Sequence, residues 1–180
     1  SFKSYFLVIL SLLWYIWRMK DLRTLFIAIG LVISANAFSQ DTLAITNLVN
    51  GWHHAAAVAD EDIFFGSMSD DAVYLGTDES ERWVKNDFMQ WSKKYFDRDS
   101  AWDFKPISRK IQFSDDLKTA WWDEKLDTWM GVCAGAGVAT LTKNGWKIRH
   151  YQLAMMIPND KVKSVLEVLK KETSKPEHKE

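Results

Sequence analysis

Hydrophobic and polar side chains alternate along residues 145–160, GWKIRHYQLAMMIPND. A period of two residues is typical of a β-strand with one face toward a core. One of the two rows consists of Trp146, Ile148, His150, Gln152 and Ala154. Because this row begins apolar and turns polar midway, we expect the strand to form the floor of a pocket.

The first half of the chain predicts two helices and a short strand. Residues 41–66 carry apolar side chains every three or four positions, the spacing of an amphipathic helix. The main stripe consists of Ile45, Leu48, Trp52, Ala55, Ala59 and Ile63. A second stripe beside it consists of His53, Ala56, Asp60 and Phe64. Residues 70–76 predict a strand, and residues 83–96 predict a second helix that includes Trp91.

The second half predicts long strands and a final helix. Strands are expected at residues 103–113, 118–130 and 135–142, and an Asn-Gly turn joins the last of them to the strand described first. Helices followed by such strands predict an α+β domain, with the helices packed on a strongly curved antiparallel sheet. Residues 161–180 predict an amphipathic helix and a disordered, charged tail. The residues of this helix expected to point inward are Val162, Val165, Leu166 and Leu169.

Residues 1–37 predict an N-terminal leader, and the folded domain is expected to span residues 38–160. A basic segment begins at Met19, an apolar run follows at residues 24–33, and an Ala-Asn-Ala sequence ends at Ala37. This order is typical of a secretory signal peptide. We therefore expect cleavage after Ala37 and a periplasmic or secreted protein.

The alternative for the leader is a membrane anchor built from two apolar runs, residues 6–17 and 24–33. Charged side chains at Arg18, Lys20 and Arg23 separate the runs, which argues against one continuous span. Contact with a membrane is therefore expected only through an uncleaved leader.

Composition narrows the classes of partner. The formal net charge is −1 and the pI is about 6.4, so nothing favours nucleic acid or an anionic membrane surface. Aromatic residues make up 14% of the chain and include ten Trp, which predicts a core of large rings or, alternatively, a stacking platform for a ligand. Cys133 is the only cysteine, so no internal disulfide forms, and we expect it to be a small buried apolar residue.

Three segments together carry a family resemblance: residues 53–83, residues 120–124 (AWWDE) and residues 145–160. In order and spacing they resemble the SnoaL-like branch of the nuclear transport factor 2-like superfamily, over residues 42–160. The resemblance implies a cone of helices on a curved sheet, a pocket inside the cone, and commonly a homodimer. It does not imply a reaction, because one fold hosts many functions.

The resemblance also allows one test of chemistry. Ketosteroid isomerases of this superfamily carry a catalytic Asp a few residues after a segment like Asp70-Asp71-Ala72, and that position falls near Gly76. Since glycine has no side chain to accept a proton, isomerisation with that base is not expected. Related members read WxIxHxHxS in the last long strand. Here His150 is retained but Gln152 and Ala154 depart from the motif, which argues against a role for the second His or the Ser.

Two titratable groups are the main candidates for acid–base chemistry. His150 lies in the row expected to face the cone, and an imidazole exchanges protons near neutral pH. Glu124 shares a predicted strand face with Ala120 and Trp122, where burial among rings would raise its pKa. A one-residue shift of register would instead turn Asp123 inward. Either group is alternatively a packing residue.

Other candidates belong to binding rather than to proton transfer. His53 and Asp60 lie two helical turns apart, so they either flank one ligand or are solvated side chains. Gln152 would orient a ligand by hydrogen bonds, and Trp91 and Trp122 would line its site. Adjacent His53 and His54 diverge on a helix, so no metal site is expected, and no motif indicates a cofactor.

Three functions remain open from the sequence. The first is an exported module that binds a small, partly apolar molecule in an aromatic-lined cone. The second is an isomerase, lyase or hydrolase that uses His150 with Glu124 or Asp60 as an acid–base pair. The third is a dimeric accessory protein whose outer sheet face, including Trp121 and Trp129, mediates interaction.

Overall fold

The computed structural model describes residue 14 and residues 41–173, with side chains up to residue 170. The chain divides into two units, Ser1–Ala44 and Ile45–Glu180, and apart from residues 41–44 the fold described below is that of the second. The predicted leader, its cleavage after Ala37 and the tail after residue 173 lie outside the described residues. Within these residues, no helix combines the length and the apolar character needed to span a membrane.

Three helices precede the long strands. Helix α1 covers residues 41–57, α2 covers Glu61–Gly66 and α3 covers Lys85–Phe96. The single helix predicted over residues 41–66 is therefore wrong only at residues 58–60, where it breaks into two. Ala59 adopts a left-handed conformation with φ of 53°, which ends the first helix, and Asp60 accepts a hydrogen bond from Ile63 N as the N-cap of α2.

Six strands form one mixed sheet. Their bounds are β1 Met68–Leu75, β2 Arg82–Val84, β3 Lys105–Phe113, β4 Thr119–Thr128, β5 Gly131–Thr142 and β6 Gly145–Met155. The order across the sheet is β2-β1-β6-β5-β4-β3. All neighbours are antiparallel except β1 and β6, which run parallel because the chain crosses the sheet between them. The predicted α+β class is confirmed.

A bulge in β6 reverses the faces of its C-terminal half. Val138 of β5 pairs with His150, but the next residue, Ala139, pairs with Ile148, so Arg149 is an extra residue on β6. Ile148 is buried before the bulge, and Tyr151 and Leu153 are buried after it. The continuous inward row predicted from Trp146 to Ala154 is therefore wrong from His150 onward.

The inner face of the sheet meets the helices in an aromatic core. Buried residues alternate along β4, where Ala120, Trp122, Glu124 and Leu126 face inward. From the helices, Ile45, Val49, Trp52, Phe64 and Phe88 join the same core. The register that the sequence favoured for β4, with Glu124 inside, is confirmed.

The C-terminal helix does not pack as expected. A short 3-10 turn at Asn159–Lys161 leads into α4, Val162–Thr173. Val162, Leu166 and Leu169 are 40%, 49% and 54% exposed and Val165 is partly buried, so most of the predicted inward stripe faces solvent in this structure. The apolar residues are spaced as an amphipathic helix requires, but spacing alone does not say which surface such a stripe covers.

Candidate functional site

A cavity of about 400 Å³ opens between the helices and one end of the sheet. We call it the aromatic pocket, and its lining residues are Tyr74, Gly76, Thr77, Glu81, Trp83, Phe88, Trp91, Tyr95, Arg98, Ala101, Trp102, Phe104, Trp129, Met130 and Leu153. They come from the end of β1, from β2, from α3 and the segment after it, from the β4–β5 turn, and from β6. Eight of the fifteen are aromatic, so the walls of the pocket are mostly ring faces and edges.

The rings of the pocket wall lie nearly parallel to one another. Trp83 stacks on Trp91 with ring centroids 5.3 Å apart, and Trp91 and Trp102 are inclined by only 10° at 6.4 Å. Phe88 continues the stack beneath Trp102 at 5.9 Å. Because each ring is held by its neighbour, the wall is a preformed apolar surface. At the opposite rim Trp129 is 83% exposed and completes the mouth.

Polar groups are few in this pocket. Burial raises the pKa of Tyr74 well above its usual value, and the negative charge of Glu81 raises it further, so the Tyr74 hydroxyl stays protonated. The guanidinium carbon of Arg98 lies 4.9 Å from the ring of Tyr95 at the rim. Thr77 Oγ1 lies 3.9 Å from Met130 Sδ, which links the β1–β2 loop to the β4–β5 turn.

Glu81 occupies the space that a side chain at position 76 would need. A Cβ on Gly76 would lie 2.0 Å from Glu81 Oε2. Gly76 N also donates to the Glu81 carbonyl oxygen at 2.9 Å, and Asp78 N donates to Oε2 at 3.3 Å. Gly76 thus contributes no base itself, as the sequence indicates. Its lack of a side chain lets the carboxylate of Glu81, in the loop between β1 and β2, reach the pocket wall.

A second constellation is buried beneath the pocket around Glu124. Its carboxylate accepts hydrogen bonds from His53 Nε2 at 2.9 Å, the Tyr151 hydroxyl at 2.9 Å and Trp122 Nε1 at 3.3 Å, all on Oε1. Arg109 Nε and Nη2 donate to Oε2 at 2.9 and 2.7 Å. Since an ionised carboxylate only accepts, His53 holds its proton on Nε2. We call these five residues the Glu124 cluster.

The electrostatics of this cluster contradict the raised pKa expected for Glu124. Burial raises the pKa of this carboxyl, but the hydrogen bond and charge of His53 together with Arg109 outweigh burial and lower it to about 2. The side chain of Glu124 is fully buried and that of Arg109 is 8% exposed. A carboxylate held this firmly in its ionised form is a structural anchor rather than an acid or base near neutral pH.

A small inner cavity of about 10 Å³ lies between the two features. Its walls include His53 and Tyr151 of the Glu124 cluster, together with Tyr74, Trp102 and Phe104, which also line the aromatic pocket. The volume is about that of one water molecule. The imidazole of His53 therefore lies one ring layer away from the larger pocket.

The structure brings some of the predicted site residues together and separates others. His53, Trp122 and Glu124 meet in one cluster. Trp91 lines the aromatic pocket without contacting that cluster. Asp60 caps α2 instead of facing His53 across a ligand.

His150 and Gln152 are the clearest corrections. Their strand partners are Val138 and Ala136 of β5, which lie on the outer face of the sheet, and Gln152 is exposed. Because the bulge at Arg149 turns these two residues to the other face of the strand, neither side chain reaches the cone interior. His150 and Glu124 therefore lie on opposite faces and do not form an acid–base pair.

The residues of these sites that sequence reasoning did not predict include Arg109, Tyr151 and Glu81. Arg109 lies directly opposite Glu124 in the β3–β4 pairing, so a correct register would have indicated the ion pair. The inward position of Tyr151 would have followed from a correct placement of the bulge in β6. Glu81 has no local signal, because only the folded loop brings it over Gly76.

The residues described contain no group of three His, Cys, Asp or Glu side chains arranged to hold a metal ion. Among the same residues, the one thiol, Cys133, is buried beneath the sheet. The donors of the Glu124 cluster are occupied by one another rather than directed at an open coordination position.

The family model of the SnoaL-like domain matches residues 45–158. A search of curated proteins found no match. Among solved structures, an NTF2-like protein with a cystatin-like fold from Novosphingobium aromaticivorans aligns with a TM-score of 0.58 and 11% identity, over 75% of this chain and 94% of that one.

Two further structures share the fold at low identity. A DUF3225-family protein from Pectobacterium atrosepticum aligns with a TM-score of 0.55 and 14% identity, over 66% of this chain and 92% of that one. A proposed ketosteroid isomerase from Parabacteroides distasonis aligns with a TM-score of 0.51 and 18% identity, over 63% and 86%. At these identities the likeness concerns the cone-shaped fold alone.

Proposed function

Because the chain belongs to the SnoaL-like domain family, whose model matches residues 45–158, we propose that it binds a small, partly apolar molecule in the aromatic pocket. The observation that supports this most is the pocket itself, about 400 Å³ with eight aromatic residues in its lining. Ligand sites typically measure about 300–1,000 Å³ and combine apolar walls with a few polar groups. Glu81, Arg98 and the Tyr74 hydroxyl are those polar groups here.

A neutral bicyclic probe tests this proposal. Calorimetric titration with β-naphthylmethanol should give saturable binding to the purified protein. Trp91→Ala should weaken that binding about tenfold or more, because a stacked ring contributes roughly 1 kcal/mol beyond the area it buries. Trp121→Ala is the matched control, since Trp121 is 40% exposed on the outer sheet face. Equal effects of the two substitutions, or no binding by the wild type, would contradict the proposal.

A second candidate, acid–base catalysis, is supported by His53 rather than by His150. The pairing of His53 with Glu124 fixes its tautomer, and its ring borders the inner cavity behind the aromatic pocket. The test is turnover of a β,γ-unsaturated ketosteroid, the substrate class suggested by one structural relative. His53→Gln should abolish any turnover, and His150→Gln should leave it intact. Absence of turnover in the wild type argues for binding alone.

Export and dimerisation complete the proposal. The Met19 leader supports export, and N-terminal sequencing of the protein from an extracytoplasmic fraction should begin at Phe38. The outer sheet face around Trp121 carries the small side chains Ala134, Ala136 and Val138, which supports pairing of two copies across it. In sedimentation, the wild type should then be a dimer and the Trp121→Arg variant a monomer.

A further inference from the structure

The carboxylate of Glu81 is an unusual component of an aromatic wall. The residue is only partly exposed, and the structure shows no ion pair to it among the residues described. Within the described part of the chain, the one hydrogen bond to its side chain is the 3.3 Å contact from Asp78 N. A carboxylate next to ring faces is costly to leave without a counter-ion, because water solvates it less completely there.

The surrounding rings, like the Glu81 carboxylate, favour a positively charged ligand. The faces of Trp, Tyr and Phe carry negative electrostatic potential and attract cations. Two cations of the chain already use this attraction on rings that line the pocket: Lys94 Nζ lies 5.6 Å from the Trp91 ring and 5.0 Å from the Tyr95 ring, and Arg98 lies over Tyr95. Trp83 and Trp102 line the cavity together with Glu81.

The main argument for a negatively charged ligand is the presence of Lys94 and Arg98. Both side chains are exposed, so solvent and salt screen their effect on a bound ligand. Glu81 is less exposed and is anchored over Gly76, so it acts at shorter range on a ligand inside the pocket. The geometry therefore favours the Glu81 carboxylate over these two cations as the partner of a bound charge.

We propose that the ligand of the aromatic pocket is an organic cation, an amine carried on an aromatic or alkyl body, and that Glu81 is its counter-ion. The apolar body would stack against Trp83, Trp91 and Trp102, and the ammonium group would pair with Glu81 beside the Tyr74 hydroxyl. This inference rests on the proposed binding function and gives the chemical class of its ligand.

Three probes with one ring system test the sign of the charge. β-Naphthylmethylamine, β-naphthylmethanol and β-naphthoate are titrated separately into the wild type at neutral pH and low salt. The amine should bind about tenfold more tightly than the alcohol, and the naphthoate more weakly than either, which is the scale expected for a partly desolvated cation between a carboxylate and rings. Raising the salt concentration should reduce the differences in affinity among the three probes.

Substitutions then assign the charge to Glu81. Glu81→Gln should remove the preference for the amine while the alcohol still binds, and Glu79→Gln, in the same loop and exposed, should retain it. Gly76→Ala provides a second route, because its Cβ would displace the Glu81 carboxylate. Arg98→Gln should strengthen amine binding slightly by removing a like charge.

The outcomes separate this inference from the function on which it rests. If the alcohol binds but the amine binds no better, or the naphthoate binds best and Arg98→Gln weakens it, the cation inference is overturned and pocket binding stands. An amine preference that survives both Glu81→Gln and Gly76→Ala overturns the role of Glu81. If none of the three probes binds, both proposals fail together.

Discussion

Glu124 shows how neighbours decide the role of a single carboxyl group. The sequence places it among rings, and burial alone would make it a protonated acid or a base near neutral pH. In the structure five hydrogen bonds from four side chains surround it, and Arg109 supplies positive charge. The carboxylate therefore joins α1, β3, β4 and β6 at one point. Its function is to hold the helix on the sheet.

The first prediction concerns the substitution Glu124→Gln. It keeps the shape of the side chain but leaves Arg109, whose side chain is 8% exposed, without its counter-ion. Breaking a buried ion pair in this way costs about 3–5 kcal/mol, so urea unfolding at neutral pH should show a loss of that size. Glu79→Gln on the exposed loop should change the free energy of unfolding by less than about 0.5 kcal/mol.

The second prediction is the pH dependence of that stabilisation. The pKa of Glu124 is about 2 in the folded protein against 4.5 for the free side chain. A depressed folded-state pKa stabilises the protein fully above about pH 4.5 and ceases to do so as the pH falls toward 2, a difference of about 3 kcal/mol. The gap in unfolding free energy between wild type and Glu124→Gln should therefore shrink over this range. A gap that is constant from pH 6 to pH 2 would show that the carboxylate is not held ionised.

At the scale of elements, two local irregularities separate the structure from the sequence prediction. The break at Ala59 converts one expected helix into two, and the bulge at Arg149 reverses the faces of half of β6. Neither has a strong signal: alanine is a favourable helix residue, and the apolar pattern of residues 145–155 fits an unbroken strand. Both are fixed by packing of distant elements, which a pattern along the chain does not contain.

The break gives the third prediction. If Asp60 is a helix cap, Asp60→Ala should destabilise the protein by about 1 kcal/mol, and Asp60→Asn should restore most of the loss because Asn caps equally well. Neither change should alter binding of β-naphthylmethanol. Should the alanine variant keep its stability but lose binding, Asp60 would be a ligand-contacting residue, as the sequence first suggested.

Strand β5 gives the fourth prediction, because two of its glycines make room for the core. A Cβ on Gly137 would lie 2.2 Å from Trp122 Cζ2, and one on Gly135 would lie 2.2 Å from the Tyr151 hydroxyl oxygen. Gly137→Ala should therefore cost about 1–3 kcal/mol in thermal or urea unfolding, as overpacking of a core does. Gly51→Ala, in α1 with open space around it, should instead stabilise by about 0.5–1 kcal/mol.

At the scale of the molecule, the sequence predicts the fold better than the site. The order of elements, the inward face of β4 and the resemblance over residues 42–160 all indicate an α+β cone, and the family match and the shared fold agree. The high aromatic content of the chain indicates both an aromatic core and an aromatic-lined site. What sequence alone does not give is which rings meet, since Trp83, Trp102 and Trp129 become neighbours of one cavity only through the loops that end β1, α3 and β4.

The most direct test of the account is a ¹⁵N–¹H spectrum of the Trp indole N–H groups during titration with β-naphthylmethanol. Binding in the aromatic pocket predicts shifts of the Trp83, Trp91, Trp102 and Trp129 signals, all of which line it. Trp121 on the outer sheet face and Trp146 near Phe113 should not move. Unchanged spectra at saturating probe, or shifts confined to Trp121 and Trp146, would contradict the proposal that this protein binds its ligand in the aromatic pocket.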